Sequence, residues 1–423
     1  LDDASGVSAT DPVIVADFQA FDASWIEGPI ETPYLEIGDG FVDTYWGGDV
    51  RATDVTVRSG AVVKPTGDGI LSMVVPGTLI VETDASLDVN YAGHTGGVSG
   101  NPAGGAPAGV TGSTSDSGGS HGGIGKPRAA AGVPGEVYDS VYHPNLPGGG
   151  GALDDDNSGN GGNGAGVVEI VAGDVVLDGT IWAWGGDQSD TGSSGGAGGA
   201  VRIEAATLTG AGWIRAHGGF NRYCSSSRAA GAGGGGRIAL LVDAITGFVP
   251  IDQTFVLGGA LYDCSWNKQG FGGVGTLYVR TSSSTHGDLY LDSGLSNGLP
   301  RKYAETTNLP VVGSGTVGTA SVDGDDPADL WIEPQDAQQT FALGVVGTWL
   351  RIGGNDYRVL EQSADRRQVL LEGASGIVST GDSFAGVYKF DTVTLRRGAV
   401  LEILDVTEVG TYDVDSDSQL ITP

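Results

Sequence analysis

The sequence predicts an all-β protein, a right-handed parallel β-helix (β-solenoid) with long glycine-rich loops and a small inserted antiparallel β domain. Three observations predict it. Apolar residues alternate with polar ones in short runs, the period of a half-buried strand, and amphipathic helical periodicity is almost absent. Glycine supplies 76 of the 423 residues, against about 7% in an average protein, and falls in blocks between those runs. Runs and blocks recur together along the middle of the chain. One such unit cannot close a core alone, whereas stacked neighbours can.

Residues 1–53 are expected to form an N-terminal β segment or cap, with Pro12-Val13-Ile14-Val15-Ala16-Asp17-Phe18 as its apolar stretch. Residues 54–310 form the glycine-rich solenoid. Val55-Thr56-Val57-Arg58, Leu79-Ile80-Val81-Glu82, Leu87-Asp88-Val89 and Leu277-Tyr278-Val279-Arg280 read as strands, separated by Gly, Asp, Ser and Asn, which turn a chain readily. Gly199-Ala200-Val201-Arg202-Ile203-Glu204 echoes Ala165-Gly166-Val167-Val168-Glu169-Ile170, and Arg215-Ala216-His217-Gly218-Gly219 echoes Trp182-Ala183-Trp184-Gly185-Gly186. Gly236-Arg237-Ile238-Ala239-Leu240 and Gly275-Thr276-Leu277-Tyr278-Val279 continue the series, so the units repeat every 33 to 40 residues. Val and Ile are expected inside the stack, with the glycine runs bulging outward as loops.

Residues 311–390 have few glycine runs and contain Thr348-Trp349-Leu350-Arg351-Ile352 and Gln368-Val369-Leu370-Leu371-Glu372, read as the inserted antiparallel β domain. Residues 391–423 return to the solenoid as a last rung and tail. Val393-Thr394-Leu395-Arg396-Arg397-Gly398-Ala399-Val400-Leu401 resembles Val55-Thr56-Val57-Arg58-Ser59-Gly60-Ala61-Val62-Val63, with Gly398 and Gly60 at the corner.

Charge bounds the partners. Lys and Arg number 21 against 52 Asp and Glu, a formal net charge of −31. Such a surface repels phosphate backbones and anionic lipids, so nucleic acid is not an expected partner. No apolar run approaches the ~20 residues of a membrane-crossing helix, so no membrane insertion is expected. The chain starts at Leu1 without Met, the start expected of a segment processed or excised from a longer precursor. Cys224 and Cys264, both in irregular Gly/Ser-rich stretches, are expected to form one disulfide in an oxidising compartment.

Calcium is the one cofactor the sequence suggests. Asp154, Asp156 and Ser158 before Gly159 place oxygen ligands on alternate residues, as the first half of a calcium loop does, but Ala165 stands where the closing acid belongs. The competing reading is a solvated acidic turn. Asp323-Gly324-Asp325-Asp326 is a weaker second case. The five histidines (His94, His121, His143, His217 and His286) are scattered at loop-like positions and read as solvated.

Trp182 and Trp184 alternate on one strand and share a face, and Trp213 holds a nearby place in the following unit. On an outer face they form a platform for a sugar or a partner; on an inner face they fill the core. The usual burial of large aromatics favours packing. Glycoside chemistry needs two carboxylates about 5 to 10 Å apart across a groove. Among 52 acids some pair meets that by chance, so none is singled out. No GxSxG elbow occurs.

The order of motifs is more specific than any one of them. Tyr138 and Pro144-Asn145-Leu146 precede Gly148 to Gly151 and the paired strand units. Gly233-Gly234-Gly235-Gly236-Arg237-Ile238-Ala239-Leu240, Gly272-Gly273-Val274-Gly275-Thr276-Leu277-Tyr278-Val279 and Gly287-Asp288-Leu289 follow. Over roughly residues 90 to 295 this resembles the glycine-rich β-helical modules of very large secreted or cell-surface bacterial proteins of adhesin type. The resemblance implies an extracellular or cell-surface location and brings no catalytic residues with it. The expected function is a non-catalytic surface module: an adhesin segment binding other cell-surface components, or a filament subunit whose partner is itself. The alternative is a β-helical protein that binds or degrades polysaccharide as a hydrolase or lyase.

Overall fold

The computed structural model describes residues 7–8, 13–15, 23–27, 30–38, 43–47, 50–128, 132–153, 159–187, 194–220, 231–262, 268–294 and 305–422. The chain is all-β with long parallel sheets, and consecutive strands alternate between two of them. Ile30–Ile37, Val50–Val57, Ile70–Val81, Val167–Leu177, Ala200–Thr209, Arg237–Thr246 and Thr276–Arg280 pair in parallel in the first sheet. Asp43–Gly47, Val62–Pro65, Ser86–Asp88, Thr180–Trp182, Trp213–Arg215 and Thr254–Phe255 do so in the second.

Alternation along these strands builds the core. Met73, Ile170, Ile203, Leu240 and Val279 occupy one register line of the long sheet, and all are buried. Val63, Leu87, Ile181 and Ile214 form the corresponding line of the short sheet. Each such side chain contributes about 1.5 to 3 kcal/mol by leaving water. The register between Val167–Leu177 and Ala200–Thr209 sets Ile170 against Ile203, an offset one residue shorter than the sequence echo suggests. A one-residue slip would turn every one of these side chains to the opposite face.

The corners repeat as expected. Gly60 and Gly398 both adopt positive φ, 80° and 83°, and the following Ala61 and Ala399 amides bond back to Arg58 and Arg396. Between residues 314 and 396 the strands Ser314–Val322, Leu330–Pro334, Trp349–Ile352, Asn355–Gln362 and Val369–Leu371 pair antiparallel. The boundary expected at 390 falls inside the continuous strand Ser383–Arg396. Its first part pairs antiparallel with Trp349–Ile352, and its last part pairs in parallel with Asp288–Asp292.

The glycine runs do not bulge outward. They are buried and form a layer of their own beside the parallel sheets. The amides of Gly148, Gly149 and Gly150 donate to the carbonyls of Ala165, Ser120 and Gly105. Those of Gly151, Ala152 and Leu153 then donate to Gly162, Ser117 and Pro102. The direction thus returns to the same neighbouring segment every third residue. Ser194 to Gly199 repeat the pattern, donating in turn to Ala152, Gly231, Gly186, Gly149, Gly234 and Ala183. Three residues per turn without internal hydrogen bonds is the habit of a polyproline II helix. Each segment therefore bonds to three neighbours, which satisfies buried backbone groups with no strand ladder. At several positions a side chain has no room. A Cβ on Gly150 would overlap the Thr95 carbonyl oxygen, and one on Gly164 would overlap that of Gly148.

A turn from the same glycine-rich region reaches the C-terminal core. Tyr142 packs edge-on against Trp349 at 5.4 Å and stacks with Phe390 at 5.5 Å, and its hydroxyl donates to the Lys389 carbonyl. The turn is held by buried Asp139, whose carboxylate accepts the amides of Ser140, Asn145 and Leu146 and meets His121 Nε2 at 3.0 Å. His121 Nδ1 faces the Gly198 carbonyl at 2.8 Å.

Close packing of the glycine layer sets a test. Gly150→Ala is expected to destabilise by about 1 to 3 kcal/mol, the usual penalty for overpacking. Gly324→Ala, with open space around it, is expected to leave the melting temperature unchanged. Equal midpoints for the two variants in thermal denaturation would refute the close-packed layer.

Candidate functional site

The second sheet's inner line, Val63, Leu87, Ile181 and Ile214, fixes by alternation which residues point out. Register then places Tyr45, Lys64, Asp88, Trp182, Arg215 and Phe255 side by side in one outward row. Neighbouring members are one strand spacing apart, about 4.8 Å. A second row lies two residues further along the strands: Trp184, His217 and Leu257, joined by the Gly185 amide to the His217 carbonyl and the Gly218 amide to that of Leu257.

The rings form one continuous strip. Trp182 and Trp184 stack at 6.2 Å with planes 18° apart, and Trp213 stacks on Phe255 at 5.5 Å. Trp184 meets His217 and Phe220 edge-on, at 5.4 and 5.5 Å. Trp213 is 39% exposed, and Trp182, Trp184 and Phe255 are half-buried. Beyond Trp184, whose carbonyl accepts the Tyr91 amide, a recess of about 380 Å³ lined by Tyr91, Asn163 and Asp187 extends the strip.

Arg215 sits among these rings. Its guanidinium carbon lies 4.9 Å from the Trp182 ring, 5.6 Å from Trp213 and 5.5 Å from Phe255. Burial lowers its pKa, yet a guanidinium remains charged. Among the described residues no carboxylate pairs with it, and its buried Nε has no hydrogen-bond partner. Lys64 in the same row is neutralised by Asp43 at 2.6 Å. The buried indole N–H of Trp184 is also unpaired.

The core-filling reading of the tryptophans is thus corrected: Trp182, Trp184 and Trp213 all lie on the outer face, because the inward positions of their strands belong to Ile181, Ala183 and Ile214; Trp184 there packs against His217 and Phe220. Trp213 is in register with Thr180, so the three rings are staggered over two strands. The solvated reading of the histidines is corrected as well. His121 is fully buried and His217 is 7% exposed, since their glycine neighbours belong to the packed layer. Arg215 and Phe255 escaped sequence reasoning; the 33-residue match of Arg215 to Trp182 was the signal available.

The expected disulfide pair, Cys224 and Cys264, and the expected calcium ligands, Asp154, Asp156 and Ser158, lie outside the described residues. Among the described residues no three His, Cys, Asp or Glu side chains converge as metal ligands. At the second acidic turn, Asp323 accepts the amides of Asp325 and Asp326 and the Trp331 indole N–H, so its oxygens serve the turn itself. A groove of about 490 Å³ lined by Val110, Tyr138, Leu309, Pro310, Arg366 and Leu404 shares no residue with the aromatic strip.

A charged cluster occupies the outer face of the long sheet. Arg202 bridges Glu169 at 3.1 Å and also binds Glu204, so both carboxylates are engaged. His143 Nε2 accepts from Arg358 at 3.1 Å, and Nδ1 lies 3.8 Å from Glu204. Burial, then the charges of Arg358, Arg202 and Arg280, push the His143 ring down to about 4. The folded ring therefore takes its proton at lower pH than the unfolded ring, near 6.5. Stability from the neutral ring is fully present above about 6.5 and is lost as pH falls toward about 4, by up to about 3 kcal/mol. His143→Gln is expected to show a shallower loss of melting temperature than the parent between those limits; parallel curves would contradict this.

Compared with known proteins, the chain matches no family model, no curated protein and no solved structure.

Proposed function

We propose that the chain is a non-catalytic extracellular or cell-surface module, a right-handed parallel β-helix of adhesin type that binds polysaccharide along its aromatic strip. The observation that carries this reading is the outward row of Trp182, Arg215 and Phe255, flanked by Trp184 and Trp213. These rings lie outside the buried core. Pyranose rings offer C–H faces that stack on flat aromatics, and a strip spaced by strands follows a polymer better than it follows a small molecule. A rigid sheet also holds the rings in place before a ligand arrives, which reduces the entropy lost on binding.

Replacing Trp182 and Trp213 together by Ala is expected to weaken retention on immobilised polysaccharide by roughly tenfold or more, as loss of central aromatic anchors does. The melting temperature should stay within a few degrees of the parent's. Unchanged retention defeats the strip as the binding surface. Release of reducing ends or unsaturated products from the same polymers would instead establish the hydrolase or lyase alternative.

The C-terminal end supports a second component, self-association. Val406–Val414 pairs in parallel with Ser383–Arg396, and its other edge meets no strand among the described residues. Tyr412 and Val414 continue the buried line of Val393 and Leu395 yet are 45% and 38% exposed. An open edge over an uncovered core line recruits another strand. Native protein is expected to sediment with concentration-dependent association that Val414→Lys suppresses. A strict monomer at high concentration, without fibres, removes this component.

A further inference from the structure

Resting on that glycan-binding reading, we infer that Arg215 makes the strip selective for sugars that carry a carboxylate, so that its ligand is a uronic-acid polysaccharide. The chain holds 52 acidic against 21 basic residues, and several of its arginines are neutralised by a carboxylate. Arg58 binds Glu36 and Glu82, Arg202 binds Glu169, Arg351 binds Asp356, and Arg397 binds Asp292. Among the described residues Arg215, like Arg237, Arg280, Arg358 and Arg366, has no carboxylate partner; Arg237 and Arg358 bond to other protein groups, whereas Arg215 is held between Trp182, Trp213 and Phe255 by three ring contacts. The nearest acid in its own row, Asp88, lies on the far side of Trp182 and accepts the Asn90 amide at 2.8 Å.

The arrangement fits one chemistry. The rings pack around the guanidinium and partly desolvate it. Nε is buried, and among the described residues the two terminal nitrogens have no hydrogen-bond partner. They present the donors of a planar fork, which matches a carboxylate better than it matches a hydroxyl. A pyranose ring stacked on Trp182 or Trp213 brings a substituent of that ring beside the fork. A neutral sugar leaves the charge unpaired; a uronate neutralises it. The net charge of −31 repels polyanions at a distance, but that field is screened over about 8 Å at physiological ionic strength, so contact chemistry decides.

Polygalacturonate and its fully methyl-esterified form share a backbone and differ in that charge, which makes them suitable probes for titration calorimetry at physiological ionic strength. The acid form is expected to bind at least about tenfold more tightly, the usual gain of a charge-assisted contact. Arg215→Gln should reduce the acid form's affinity to that of the ester, and Trp182→Ala should weaken both. Equal affinity of the parent for the two polymers, or a preference that survives Arg215→Gln, overturns the carboxylate selectivity while leaving glycan binding intact. Binding of dextran sulfate as tight as that of polygalacturonate also overturns it, since the fork would then serve any anion. If neither pectin binds and Trp182→Ala changes nothing, the glycan-binding reading falls with it. A matched thermal melt of each variant separates lost contact from lost fold.

Discussion

Burying a long run of chain that forms no strand is permitted only if every amide and carbonyl on it finds a partner, and that requirement governs this structure. The segments around Gly148 to Leu153 and Ser194 to Gly199 meet it by donating to three neighbours in rotation. At the glycines of these segments the solution needs the absence of a side chain, because a neighbour's carbonyl occupies the place a Cβ would take. Glycine abundance is therefore a packing requirement here. Strand ladders and the glycine layer also share hydrogen bonds: Gly166 donates to Val89, Val167 to Gly69, and Arg237 to Gly199. Disorder in one layer would leave unpaired groups in the other.

That dependence explains where the ionisable groups sit. His121 and Asp139 lie in a region of almost no side chains, and both are fully engaged by backbone and by each other. Arg237, equally buried, donates to the Tyr138 carbonyl and to the Thr276 hydroxyl. These three residues tie the turn bearing Tyr142 to the parallel sheets, and Tyr142 in turn packs into the C-terminal core. The strand Asp288–Asp292 supplies a backbone connection beside them, pairing with Thr276–Arg280 on one side and with Ser383–Arg396 on the other.

The aromatic strip is the converse case. Its side chains need no partner from the fold, and the fold supplies their spacing alone. A carboxylate, two rings and a guanidinium line up because the register repeats, whereas the residue types differ from strand to strand: Asp88, Trp182, Arg215, Phe255. Structural repetition without sequence repetition is what a surface requires if it is to recognise a polymer along its length while discriminating among its substituents.

The sequence by itself determined the class of structure and much of its layout. Short alternating runs such as Val55 to Arg58 and Leu277 to Arg280 could bury one face only as strands, and the corner glycines Gly60 and Gly398 were legible because their neighbours match. The direction of the tryptophans was not legible. A period of two assigns Trp182 and Trp184 to one face but leaves open which face looks inward, and the burial of Ile181 and Ala183 against the facing sheet decided it. Nor was the glycine layer legible. Its bonds join Gly149 to Ser120 and Gly198 to Gly234, and glycine carries no side-chain pattern from which such partners can be read. Arg215 became a candidate ligand-binding residue only when tertiary structure placed three rings around it and no carboxylate beside it. Which charges are neutralised is a property of neighbours in space, and local sequence does not contain them.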